Sequence, residues 1–223
     1  MEICSAARTV KTARSARIAD FTVFTDFTVF TSMHSRSTLF FLIALFALFA
    51  FVSRLLPHAA NMTPVGALAL FVGVYLQRRW GWLVPLGVLL VSDAWLGGYE
   101  LPVMLSVYGS FAAITVIGTL LQRSSFTTRM LVGPLTSSAF FFIVTNFAVW
   151  AATPWYAKNF AGLMTSYTLA IPFWRNMLVG DILYTTLFFG IFALFTRYEF
   201  IKNLRIDLSP ALSYEERERV RVR

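Results

Sequence analysis

The sequence predicts an all-α membrane protein, a bundle of about six transmembrane helices with both termini on the cytoplasmic side. Three observations carry this. Hydrophobic residues make up 57% of the 223-residue chain and charged residues only 13%, with a mean hydropathy of +0.67, whereas a soluble domain carries about 25% charged residues. The deficit is concentrated between residues 37 and 196, which read as apolar runs separated by short polar breaks. Finally, the bases in those breaks fall on alternate sides, as insertion polarity requires.

Residues 1–36 are rich in Ser, Thr, Ala and Arg and contain a tandem DFTVFT repeat, Asp20 to Thr25 and Asp26 to Thr31. They are read as an extension outside the fold, either a targeting segment or upstream sequence with the start at Met33. The transmembrane domain is placed at 37–197 and a charged cytoplasmic tail at 198–223.

Helix one is the uncharged run between Arg36 and Arg54, which nearly spans a ~30 Å hydrocarbon core. Thr63 and Pro64 start helix two, a capping hydroxyl followed by a proline suited to a first turn, and the run ends at Gln77-Arg78-Arg79. Helix three covers about Trp82 to Leu96 and stops at Gly97-Gly98. Helix four covers about Pro102 to Leu121, and helix five about Leu131 to Ala151 after Arg129. The connection 152–171 holds Trp155, Tyr156 and Lys158 and suits an interfacial segment. Pro172 opens helix six, which ends at Arg197.

Sorting the loops alternately gives one set with the basic N-terminus, Arg78, Arg79, Arg123, Arg129 and the tail bases Arg197, Lys202 and Arg205. The other set holds only Arg54 and Lys158 as bases, with His58 and Glu100. The first set is therefore expected on the cytoplasmic side of the cell membrane. The net charge of +8 flanks apolar spans and belongs to no nucleic-acid-binding module, so the lipid bilayer and not nucleic acid is the expected partner. The single cysteine, Cys4, allows no internal disulfide. No P-loop, HExxH, GxSxG or CxxC motif is present, so no cofactor, metal or enzymatic activity is expected.

Polar groups retained inside spans are the informative ones, because hydrocarbon penalises them unless they are satisfied. Asp93, Asn146, Asn176 and Asp181 all lie toward the outer ends of their helices. The outer loops add Arg54, His58, Asn61, Tyr99 and Glu100. Phasing at 100° per residue puts Asn146 and Trp150 on one face of helix five, and Trp174, Met177, Asp181 and Tyr184 on one face of helix six. Two such faces can line a small-molecule cavity. The candidate ligand-binding set is Arg54, His58, Asn61, Asp93, Asn146, Trp150, Trp174, Asp181 and Tyr184. Each has a plainer reading beside it. Asp93, at a helix C-terminus, needs a cation such as Arg54 or Arg175 and serves equally as interhelical glue. Asn146 reads first as an interhelical hydrogen-bonder, and His58 as a loop residue. Gly66, Ala69 and Gly73 form a small-residue stripe that admits a neighbouring helix, or a partner subunit if it faces lipid. A membrane scaffold, and more remotely an intramembrane enzyme using Asp93 and Asp181, stay open.

The run RLLPHAANMTPVGALALF from Arg54 to Phe71 resembles the opening of an uncharacterised bacterial six-helix membrane-protein family. LVSD at Leu90 to Asp93 with Leu96-Gly97, TNFAVW at Thr145 to Trp150, AIPFWRN at Ala170 to Asn176 and Gly180-Asp181 are similar too. The likeness covers about residues 38 to 197. Members of that family are labelled substrate-binding S components of energy-coupling factor (ECF) transporters. The resemblance implies a bundle that takes a vitamin-like molecule from outside and docks on a transmembrane coupling subunit driven by two ATPases. Segments 56–63, 97–101 and 152–171 would then close over the substrate. Cobalamin-binding members of that class use a cysteine at the site, and this chain has none within the membrane domain.

Overall fold

The computed structural model describes residues 36–76 and 80–221. The N-terminal extension with Met33, and the Gln77-Arg78-Arg79 end of helix two, lie outside the described residues. Among the described residues the regular structure is helical: α1 (Arg36–Leu55), α2 (Val65–Leu76), α3 (Leu83–Leu96), α4 (Leu101–Leu120) with a 3-10 turn at Leu121–Arg123, α5 (Phe126–Ala152) and α6 (Phe160–Arg221). Four are long and apolar enough to cross a membrane: α1, α4 with its turn, α5, and the Phe160–Glu199 part of α6. Their outward faces are apolar, as at Phe41, Leu48, Leu105, Ile143 and Leu194.

Two of the six helices expected as spans are short. With 12 and 14 residues, α2 and α3 are only about 18 and 21 Å long at 1.5 Å per residue. The reason for α2 is its position. It touches all five other helices, and every residue from Val65 to Val74 is buried. A helix wrapped in protein needs no polar stripe, and its sequence VGALALFVGVYL has none. Nor does it have to match the bilayer thickness, since protein shelters its ends.

Close packing around α2 depends on glycine. A Cβ on Gly73 would stand 2.9 Å from the Gly118 Cα and collide with the Thr115 carbonyl, and one on Gly118 would stand 3.1 Å from the Leu70 Cα. Thr119 Oγ1 donates across this seam to the Gly73 carbonyl at 3.3 Å. Beyond it the core is aromatic: Phe46 stacks on Phe188 at 4.2 Å, and Phe71 meets Phe46, Phe189 and Phe192 edge-on at 5.1 to 5.4 Å. Such offset and edge contacts each add about 1 kcal/mol beyond burial.

Two helix starts lie earlier than the apolar runs suggest, and side-chain caps explain both. Ser125 Oγ accepts the Thr128 N–H at 3.2 Å, so α5 begins at Phe126 and Arg129 is a helical residue, not a loop base. Asn159 Oδ1 accepts the Gly162 N–H at 2.9 Å, so α6 begins at Phe160 and runs through Pro172. A proline inside a membrane helix is tolerated when neighbouring helices re-satisfy the freed carbonyl. The connection expected at 152–171 thus shrinks to residues 153–159, and the charged segment from 198 continues α6 to Arg221. The α3 stop falls where expected: Gly97 takes φ +96° and its N–H returns to the Asp93 carbonyl at 2.9 Å, a conformation glycine adopts without penalty.

Candidate functional site

A cavity of about 350 Å³ opens at the end of the bundle where α1 and α3 finish and α2 and α4 begin. Its volume lies within the range of small-molecule sites. Arg54, His58, Asn61, Thr63 and Tyr99 supply polar groups, Leu96, Val107, Phe111, Phe141 and Met177 supply apolar wall, and Gly66 and Asp181 face each other across α2 and α6. The 56–64 loop is held over α6 by local geometry. Asn61 sits at φ +64°, a left-handed conformation asparagine tolerates better than most side chains. The Asn176 amide donates to the Ala60 carbonyl at 3.4 Å, and Met62 packs so closely on Gly180 that a Cβ there would stand 3.0 Å from its Cγ.

Two buried aspartates belong to this end, and they are satisfied differently. Asp93 is fully engaged: the Arg54 guanidinium pairs with Oδ1, and the Tyr108 hydroxyl donates to Oδ2 at 3.0 Å. That joins α1, α3 and α4 and supplies the cation that Asp93 requires, with Arg54 the partner and not Arg175. Burial, then the Asp93 carboxylate, push the neighbouring Tyr99 phenol up to about 12, with Arg54 pulling the other way. Tyr99 therefore stays a neutral hydroxyl at the cavity. Asp181, only 1% exposed, has no such network. Its Oδ2 is buried with no hydrogen-bond partner, as are Arg54 Nε and, one turn further along α6, Thr185 Oγ1. Buried polar atoms are nearly always paired, so orphaned atoms beside a cavity mark where an incoming group can bind.

Gly66 makes room for Asp181. A Cβ at residue 66 would stand 3.0 Å from the Asp181 Cγ and overlap the carboxyl oxygen. The small-residue stripe of Gly66, Ala69 and Gly73 thus meets α6 at its start and α4 at its end. All three are buried, so the stripe does not face lipid and offers no docking seam there.

Of the candidate residues, Arg54, His58, Asn61 and Asp181 line the cavity, and Asp93 stands behind Arg54. The other four do not line it. Asn146 donates to the Phe142 carbonyl on its own helix at 2.8 Å. Trp150 donates to the Ala157 carbonyl at 2.9 Å, with Lys158 over its ring at 5.9 Å, so it fastens the α5–α6 connection. Trp174 packs on Phe142 at 5.4 Å, and Tyr184 on Phe49 at 6.0 Å. Phasing found the faces of these residues but not the nearby carbonyls and rings that absorb them. The wall residues Phe111 and Phe141 carried no polar signal and escaped sequence reasoning.

No curated protein sequence and no solved structure matches the chain. Residues 18–204 match the family model described as Family of unknown function (DUF6580), and the chain belongs to that family.

Proposed function

We propose that the chain is a membrane substrate-binding subunit, similar in role to ECF S components, that receives a vitamin-like small molecule from the outer side of a bacterial inner membrane. One observation carries the reading: a cavity of about 350 Å³ at one end of the bundle with a buried carboxyl, Asp181, whose Oδ2 has no hydrogen-bond partner among the described residues. Polar mouth, apolar wall and a few unpaired groups are the composition of a small-molecule site. The distribution of bases supports placing this end outside and both termini inside. The resemblance to S components supports a transmembrane coupling subunit and ATPases as partners, since the chain carries no nucleotide-binding motif of its own. The role is binding and delivery, not catalysis.

A scaffold reading draws on a different observation: Asp93, Asn146 and Trp150 spend their polar atoms on ties within the protein. It accounts for those residues and leaves Asp181 unexplained. The deciding experiment is a native mass spectrum of the gently solubilised protein, combined with uptake in cells expressing Asp181→Ala at normal membrane levels. A small molecule that travels with the protein and is lost in the variant, together with lost uptake, supports the binding subunit. Full uptake by a folded variant overturns the role of Asp181.

A further inference from the structure

Resting on the binding-subunit reading, the polarity of the cavity narrows the substrate class. Arg54 and Asp93 neutralise each other at the mouth, and His58 holds its ring against the Leu56 carbonyl, Nδ1 to oxygen 2.7 Å. The acid within the cavity that lacks a counter-charge is Asp181, walled by Gly66 and Met177. Phe111, Phe141, Val107 and Leu96 supply apolar wall to the same cavity. At the mouth, Arg54 Nε is a buried N–H without an acceptor. The free groups are thus an acceptor on Asp181 and a donor on Arg54, in a cavity whose remaining wall is largely apolar.

We propose that the cavity takes an amphiphilic small molecule whose basic nitrogen meets the Asp181 carboxyl, whose apolar or aromatic body lies against the contacting Phe111 and Phe141 rings, and whose far end presents an acceptor to Arg54. A molecule with no donor at that end leaves Asp181 buried and unpaired, an alcohol donates to it without supplying a counter-charge, and a site built to hydrogen-bond a group rejects analogues lacking it far more strongly than it discriminates apolar shape. An acid placed there meets a second carboxyl at close range.

Tyramine, tyrosol and 3-(4-hydroxyphenyl)propionate share one body and differ at its end, as amine, alcohol and acid. The test is thermal unfolding of the full chain in detergent with each at millimolar concentration, alongside the native mass spectrum of the same preparation. Tyramine alone is expected to raise the midpoint, by a few degrees at 100 times its dissociation constant, and Asp181→Asn is expected to abolish the shift. Comparable stabilisation by the acid or the alcohol, or a tyramine shift that survives Asp181→Asn, overturns the proposal. The three-probe comparison in the unaltered protein decides this even where the variant fails to fold. When no probe acts, the co-purified molecule decides: one with a basic nitrogen supports the class, and one without it overturns the class while leaving the binding subunit intact. If no probe acts and no molecule is carried, the binding-subunit reading falls with it.

Discussion

Gly66 and Gly73 lie two turns apart on one face of α2, yet they meet opposite kinds of neighbour. At Gly73 the neighbour is main chain, the Thr115 carbonyl and the Gly118 Cα of α4, with the aromatic cluster of Phe46, Phe71, Phe188 and Phe192 close by. At Gly66 it is a single carboxyl, Asp181, standing beside a cavity. Two arginines repeat the contrast. Arg129, at the closed end, donates to the Leu121 carbonyl at 3.1 Å and to that of Gln122, and lies over the Tyr75 ring at 5.9 Å. It caps the end of α4 through neighbours close in sequence. Arg54, at the open end, reaches across to α3 for its one counter-ion and keeps Nε unpaired. The closed-end arginine is tied to the turn that ends α4, while the open-end arginine holds its Nε in reserve beside an unpaired carboxyl oxygen.

Breaking the Arg54–Asp93 pair tests the contrast most severely. Asp93→Leu strands a guanidinium whose side chain is only 17% exposed, and the expected loss is about 3 kcal/mol, the low end for a broken buried pair because Arg54 retains some water. The double variant Arg54→Met with Asp93→Leu is expected to recover most of that. Reversible unfolding in detergent measures both, and a double variant no better than the single one would show that the pair is not an isolated unit.

The glycines come next. Gly73→Ala drives a Cβ into backbone that cannot swing aside, and overpacking of this kind costs about 2 kcal/mol. Gly66→Ala meets the end of a side chain with open space beside it, so about half that loss is expected, with a disturbed cavity. Gly87 and Gly109 have nothing within 4 Å of a built Cβ, and alanine there is expected to be neutral or stabilising by up to ~1 kcal/mol through helix propensity. Equal losses at residues 66 and 73 would mean that the open end is as tightly filled as the closed one.

The number and order of the helices were legible because an apolar run of membrane length has few other uses. The central place of α2 was not, since lipid and protein interior are equally apolar and hydropathy does not separate them. The starts of α5 and α6 were not legible either, because the Ser125 and Asn159 caps are side-chain hydrogen bonds that hydrophobicity does not register. At the site, Arg54, His58, Asn61 and Asp181 were legible as polar residues at one end of apolar runs. Asn146 and Trp150 looked the same and proved different, because the Phe142 and Ala157 carbonyls that absorb them are features of backbone path, not of residue type. Gly66 was read for helix approach, and its actual neighbour, Asp181, comes from a helix more than a hundred residues later.

The smallest expected effect on stability is the sharpest test of reserve at the open end. Asp181→Asn keeps the size and shape of the side chain and removes a carboxyl whose Oδ2 has no partner in the protein. Its stability in ligand-free detergent is therefore expected to change by less than the ~1 kcal/mol of one ordinary hydrogen bond, in either direction. Asp93→Asn, of identical chemistry and similar burial, weakens the contact with Arg54 and is expected to cost clearly more. Measured side by side, these two substitutions separate an acid that holds helices together from one held ready for something else. A large loss at Asp181 would assign it to the fold, and the cavity would then have to be explained without it.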